Sequence, residues 1–240
     1  MAGLHNPYQS DLLRNIVESA KRMLSRTIKK KEPVSSDLMK MLFQRFDTCD
    51  STLKDLKLLV MCSLCYTGFL RYDELSNIRS NNLTFHKEHV DIFIIKSKTD
   101  CYRNGKNVFI AKLNSPYCPV CILQRYISLA GIDLDSDMFL LRSISFMKIS
   151  DTFILRKKNE KLSYTRPREI VRSALATLGV NNRKFGLHSL RFGGAIAACK
   201  FGISDRLFKI HGRWKSENAK DGYVCEDLQR NLSVSKNLGL

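Results

Sequence analysis

The chain has 240 residues, and its 40 lysines and arginines outnumber 23 acidic residues to give a formal charge of +17. An excess of that size points to a polyanionic partner, with nucleic acid ahead of an anionic membrane surface. The longest apolar run, residues 58–70, is broken by Ser63, Thr67 and Gly68, and it falls short of the ~20 residues a membrane span needs. Residues 1–10 lack the apolar core of a secretory signal, and the eight cysteines are scattered, so they read as reduced thiols in an intracellular protein.

Taken in order, residues 11–24 place Leu12, Ile16, Ala20 and Met23 on one face of an amphipathic helix. Residues 26–33 are basic and end in Pro33, which reads as a linker; its Lys29, Lys30 and Lys31 are candidates for contact with a phosphate backbone. A second helix is expected from a cap at Ser35 or Ser36 to about Phe46. A third, capped by Ser51 and running from Leu53 to about Tyr66, is apolar nearly all round and is expected to be buried. It stops at Thr67-Gly68, and a new helix opens near Leu70. An arginine there, Arg71, opposes the helix dipole; Glu74, three residues on, is placed to hold its guanidinium.

Residues 83–111 switch to strand signals. Val90, Ile92 and Ile94 alternate with Asp91 and Phe93, a strand at 83–85 precedes them, and Asn104-Gly105 signals a hairpin before Val108-Phe109-Ile110. Lys96 and Lys98 lie on that connection. Cys118-Pro119-Val120-Cys121 is a lone pair of thiols; a structural zinc needs four ligands, and His86 and His89 stand too isolated in sequence to complete the set, so no metal is expected. A helix follows the thiols, residues 133–150 read as loop-rich, and 156–168 are basic and lead into a helix from about Arg168 to Leu178. Arg166 and Arg168 at that start are further candidates for DNA contact.

Residues 185–224 carry the densest chemistry. His188 and Arg191, at i and i+3, can share one helix face. Leu187, Leu190, Ala195, Ile196, Ala198 and Cys199 form one apolar stripe, and Leu207, Phe208 and Ile210 a second. Gly193-Gly194 weakens the helix and predicts a close backbone approach. His211, Trp214 and Tyr223 follow. Two cationic donors beside a tyrosine suit one task, gripping a phosphate while a phenol attacks it.

Four motifs stand in a telling order: T-G-F-L-R-Y-D-E-L around Arg71, K-S-K-T around Lys98, H-S-L-R at His188 to Arg191, and H-G-R-W followed after eight residues by Tyr223. Over about residues 34–228 this resembles the tyrosine recombinases, the phage-integrase family that includes Cre and XerD. The H-G-R-W-K-S segment also looks like that of recombinases encoded by animal mobile elements. The resemblance implies an α+β, mainly α fold: a helical catalytic domain with a small antiparallel sheet at one edge. Residues 33–240 would form that domain, and residues 1–32 a helix and basic linker left from a core-binding domain that is otherwise missing.

The resemblance further implies that Tyr223 attacks a phosphate of double-stranded DNA to form a 3′-phosphotyrosyl link. Arg71 and Arg191 would clamp the non-bridging oxygens, His188 would move the phenol proton, and Lys98, preferred to Lys96 on the motif, would protonate the leaving 5′-oxygen. Trp214, where many members have histidine, would donate its indole N–H; Glu74 would support Arg71. No cofactor, no metal and no membrane are implied, and the expected assembly on DNA is a homo-tetramer. The expected location is nuclear in a eukaryotic host and cytoplasmic otherwise. A DNA-binding protein that has lost recombination and a type IB topoisomerase are the competing readings.

Overall fold

A computed structural model describes residues 10–24, 31–97, 104–223 and 236. The chain divides into two units, Met1–Lys30 and Lys31–Leu240. The first contains helix α1 (Asp11–Leu24), with the bounds its apolar period predicts.

The second unit is built around helix α3 (Leu53–Thr67), which is buried from Leu53 to Cys65 almost without interruption. Helices α2 (Ser36–Phe46), α5 (Pro119–Ala130), α6 (Thr165–Thr177) and α7 (Leu187–Lys200) pack on it. A sequence apolar on every face forces this arrangement, because a helix with no polar side has no place at a surface. Ser35 caps α2 by accepting from the Leu38 amide at 3.2 Å. The cap of α3 is Thr52, not Ser51. Thr52 and Asp55 form a reciprocal box, with the Thr52 amide donating to Asp55 Oδ2 at 2.9 Å. Ser51 Oγ instead donates to the Phe46 carbonyl at 2.7 Å and closes the preceding turn.

Strands β1 (Leu83–Phe85), β2 (His89–Ile94) and β3 (Lys106–Ala111) form an antiparallel sheet in that order, with Val90, Ile92, Ile94, Val108 and Ile110 turned to the core. The pairing of Ile94 with Lys106 makes the β2–β3 connection residues 95–105, so Asn104-Gly105 stands next to β3 and is not a two-residue turn. Residues 133–150, read as loop-rich, contribute a strand: β4 (Ile144–Met147) pairs antiparallel with β5 (Thr152–Leu155). These strands are short and mostly solvent-facing, so their apolar alternation is weak.

Cys118 acts as the N-cap of α5, its sulfur accepting from the Leu113 amide at 3.1 Å and the Cys121 amide at 3.5 Å. The α7 stripe is buried at Leu187, Leu190, Ala195 and Ile196. The second stripe, on α8 (Asp205–Gly212), is not: Phe208 is buried, whereas Leu207 and Ile210 are exposed and line an apolar cavity of about 720 Å³ with Phe201 and Phe109. Gly193 and Gly194 explain how α7 seats itself. A Cβ at Gly193 would lie 1.8 Å from the Val34 carbonyl oxygen, and one at Gly194 would lie 1.9 Å from that of Tyr66. Backbone meets backbone there, as the paired glycines predict.

Candidate active site

Helix α3 ends at Gly68, and Phe69 takes the left-handed conformation at φ 46° to swing the chain toward Arg71. That backbone is strained for a residue with a side chain, at a cost of about 1–2 kcal/mol, so its surroundings must hold it. They do so through its carbonyl, which accepts from Arg191 Nη1 and, at 2.9 Å, from Arg213 Nη2. Arg71 is the N-cap of the short helix α4 (Tyr72–Ser76). Glu74 reaches back to it twice, Oε2 accepting from the Arg71 amide at 2.8 Å and Oε1 from Arg71 Nη1 at 2.9 Å. The expected Arg71–Glu74 pair is therefore present and is more than a surface pair, because the Glu74 side chain is 1% exposed.

Helix α7 carries His188 on its exposed side and Arg191 on its buried one. The Arg191 side chain is 0% exposed. Its Nη2 donates to the Gly212 carbonyl at 2.8 Å, and its Nη1 lies 3.9 Å from Glu74 Oε2. Burial first, and then the charge of Arg71, pulls its pKa down to about 10, which leaves it charged at neutral pH.

The H-G-R-W segment closes the site and contributes a residue that sequence reasoning passed over. Arg213 ends α8 in the left-handed conformation at φ 56° and is buried. Its guanidinium donates to Gly68 O at 3.1 Å, His211 O at 2.9 Å, Phe69 O at 2.9 Å and Glu74 Oε2 at 2.8 Å. It ties the end of α8 to the α3–α4 turn. No residue pattern announces this, because the contacts to Gly68, Phe69 and Glu74 join positions more than 130 residues apart. Gly212 makes room for Trp214, whose ring would lie 1.9 Å from a Cβ at that position.

Three arginines thus surround one carboxylate. Burial alone would raise the Glu74 pKa; Arg213, the Arg71 amide, Arg191 and Arg71 together outweigh it, so the group lies below the ordinary glutamate value. The cluster carries two positive charges in excess, which is the electrostatics of an anion site. Three buried donors in it, Arg191 Nε, Arg213 Nε and Trp214 Nε1, have no protein partner.

Tyr223 stands at the edge of this cluster. Its hydroxyl is 3.0 Å from His188 Nε2, and its ring packs on Trp214 and Phe192 at centroid distances of 5.0 Å and 5.8 Å. Arg191 lies 5.4 Å from the Tyr223 ring centroid and 5.1 Å from that of Trp214. The His188 pKa is lowered by the protein packed round its ring, then by Arg191 and Arg71, so the imidazole is neutral at pH 7. With its proton on Nδ1, Nε2 accepts from the phenol. His211, the second histidine of this region, donates from Nε2 to the Thr67 carbonyl at 2.7 Å and packs edge-on to Phe69.

The structure therefore brings together Arg71, Glu74, His188, Arg191, Trp214 and Tyr223. Lys98 lies outside the described residues, as do Lys29 and Lys30; Lys96 is exposed just beyond β2. Lys31 donates to the Arg183 carbonyl at 2.5 Å. Arg166 and Arg168 lie in the first turn of α6. Arg166 lines a pocket of about 550 Å³ with Lys54, Lys57, Arg156 and Lys161, against the single acid Glu160. Burial, then Arg166, lowers the Lys57 pKa to about 8. Arg168 is half-buried beside Tyr164.

No protein-family model matches the chain. Among curated proteins it is similar to an integrase/recombinase XerD homologue of Selenomonas ruminantium, 27% identical over 224 residues, or 93% of this chain and 62% of that protein. Among solved structures it is similar to the XerH site-specific recombinase in a post-cleavage complex with its difH substrate, at a TM-score of 0.62 and 16% identity over 89% of this chain and 55% of that one. XerA recombinase gives a TM-score of 0.60 and 16% identity over 92% and 69%. A lambda integrase dimer bound to a core site gives 0.56 and 15% over 89% and 56%. The chain spans about 62% of the length of the curated relative it matches. The fold is that of the tyrosine-recombinase catalytic domain, mainly helical with small antiparallel sheets, and the expected likeness to that family is borne out.

Proposed function

We propose that this chain is the catalytic part of a tyrosine recombinase, which cuts and rejoins double-stranded DNA through a covalent 3′-phosphotyrosyl intermediate. The observation that carries the reading is the Tyr223 hydroxyl, 3.0 Å from a neutral His188 Nε2 and beside a buried arginine cluster with positive charge to spare. A phenol ionises near pH 10, so at neutral pH it needs a base to attack and a cationic site to receive the charge.

In the forward step the Tyr223 oxygen forms a bond to phosphorus as its proton passes to His188 Nε2. The phosphorus–O5′ bond breaks, and the leaving oxygen takes a proton, the role that falls to Lys98. Arg71 and Arg191 hold the non-bridging oxygens through the pentacoordinate transition state. Their planar forks suit a phosphoryl group better than ammonium groups do. The unpartnered Arg191 Nε and Trp214 Nε1 offer two further donors of the kind such an oxygen requires. Glu74 and Arg213 touch no substrate in this scheme; they fix the arginines. Resealing is the reverse reaction with a new 5′-hydroxyl, and the phosphotyrosyl bond conserves the energy for it.

The basic pocket around Lys57 and Arg166 supplies the sequence-independent grip on the backbone. The working assembly is a homo-tetramer on two DNA sites. The reading is tested with a pool of nicked duplexes, on which cleavage releases a short fragment and prevents resealing. A protein–DNA adduct that survives SDS in the wild type and is missing from Tyr223→Phe supports it. Equal adduct in both, or salt-sensitive binding with no adduct, overturns it.

A further inference from the structure

The outer face of the sheet holds a cluster that the recombination chemistry does not use. The β1–β2 hairpin turns through Lys87-Glu88, with the His86 amide donating to the His89 carbonyl at 2.9 Å. The period of two along β2 places His89 and Asp91 on the same face, opposite the core-facing Val90 and Ile92. The tight turn folds His86 over them. The two imidazoles stack at 4.4 Å with 13° between their planes. Both present Nε2 to one carboxylate, His89 at 3.0 Å from Asp91 Oδ1 and His86 at 3.4 Å from Oδ2. Asp91 Oδ1 is buried and accepts no hydrogen bond. Proximity in the fold replaces the isolation that the sequence positions imply.

We infer that His86, His89 and Asp91 form a binding site for a borderline divalent cation of the zinc class, at the end of the sheet remote from Lys96. The donor set is right: two imidazoles and one carboxylate are ligands that Zn²⁺ accepts, with solvent completing the shell. The spacing is right as well. Bonds of ~2.1 Å at tetrahedral angles put ligand atoms about 3.4 Å apart, and one donor atom from each residue here lies within 4.8 Å of the other two, with His89 Nε2 3.0 Å from Asp91 Oδ1 and His86 Nε2 3.4 Å from the second carboxylate oxygen, Oδ2. All three ligands come from one hairpin, so closure requires only side-chain rotation. The bound cation staples the β1–β2 turn and takes no part in strand transfer.

The test is a titration of the metal-free full chain with ZnCl₂ followed by calorimetry, with CoCl₂ as a spectroscopic probe. One equivalent is expected to bind and to raise the unfolding temperature. Co²⁺ is expected to give ligand-field bands with no thiolate charge-transfer band. His89→Ala and Asp91→Asn are each expected to weaken binding at least ~tenfold, while Cys118→Ser/Cys121→Ser leaves it unchanged. His86→Ala, on an exposed side chain, checks the result with the metal-free unfolding temperature held constant. Absence of binding, binding indifferent to the histidine substitutions, or binding that moves with the cysteines overturns the inference.

Discussion

Replacing Glu74 by glutamine tests the electrostatic core of the site, because the shape stays and one charge goes. In the native protein Glu74 Oε2 accepts from the Arg71 amide and Arg213 Nη2, each at 2.8 Å, and Oε1 accepts from Arg71 Nη1 at 2.9 Å. Glutamine keeps one acceptor and turns an amide N–H₂ toward an arginine that can only donate. Arg191, Arg213 and Arg71 then face one another with no counter-charge. Breaking a buried pair in this way costs about 3–5 kcal/mol, which in a unit of this size lowers the unfolding temperature by roughly 6–20 °C.

The acid dependence gives an independent check. The native Glu74 pKa lies below its unfolded value, so its contribution is present above the unfolded carboxylate pKa of about 4.3 and is lost as pH falls through the native value. The stability gap between wild type and Glu74→Gln must therefore narrow on acidification. The assay is thermal and urea unfolding of both proteins from pH 7 down to pH 3. A gap under about 0.5 kcal/mol at pH 7, the scatter of ordinary surface changes, or a gap that does not depend on pH, refutes the buried network.

Gly193→Ala and Gly194→Ala each drive a methyl into a backbone carbonyl, and urea unfolding should report a loss of at least ~1–3 kcal/mol, the cost of overpacking. Lowered native His188 means that adduct formation at pH 7 runs with the imidazole neutral; the rate should hold level down to about pH 6.5 and fall only below it, whereas a native pKa above that value would make the rate fall from pH 7 onward. Arg166→Ala should weaken DNA binding without changing its sequence preference and should reduce the slope of log K against log salt by about 1. An unchanged slope would remove Arg166 from the backbone contacts. Arg213→Met should impair Arg71 through Glu74, and a double-mutant cycle with Glu74→Gln should show coupling of ~0.5–3 kcal/mol; additive losses would leave Arg213 a packing residue only.

Much of this site could be read from the sequence because its chemistry depends on rare residue types at fixed local spacing. His188 and Arg191 share α7, Arg71 and Glu74 share one helical start, and each pair lies within a single turn. The all-apolar α3 announced the core, and Gly193-Gly194 announced the close approach to Val34 and Tyr66. What the sequence concealed was long-range. Arg213 reads as one more surface cation until the fold carries it to Glu74. Thr52 lost the cap to Ser51 in the reading although Asp55 completes its box, because two adjacent hydroxyls offer the same local signal. The β4–β5 hairpin is short and mostly exposed, so its strands bury too little to leave an alternating pattern. Leu207 and Ile210 follow a helical period yet face an open cavity, since periodicity reports a shared face and not what covers it.

The most direct measurement is the identity of the atom that carries the DNA. Adduct trapped on nicked duplex is digested with trypsin and nuclease, and the modified peptide is fragmented by mass spectrometry. The account predicts a nucleotide joined through its 3′-phosphate to the oxygen of Tyr223, and a free 5′-hydroxyl on the released strand. A nucleotide on any other residue, or a 5′-phosphate link, contradicts it.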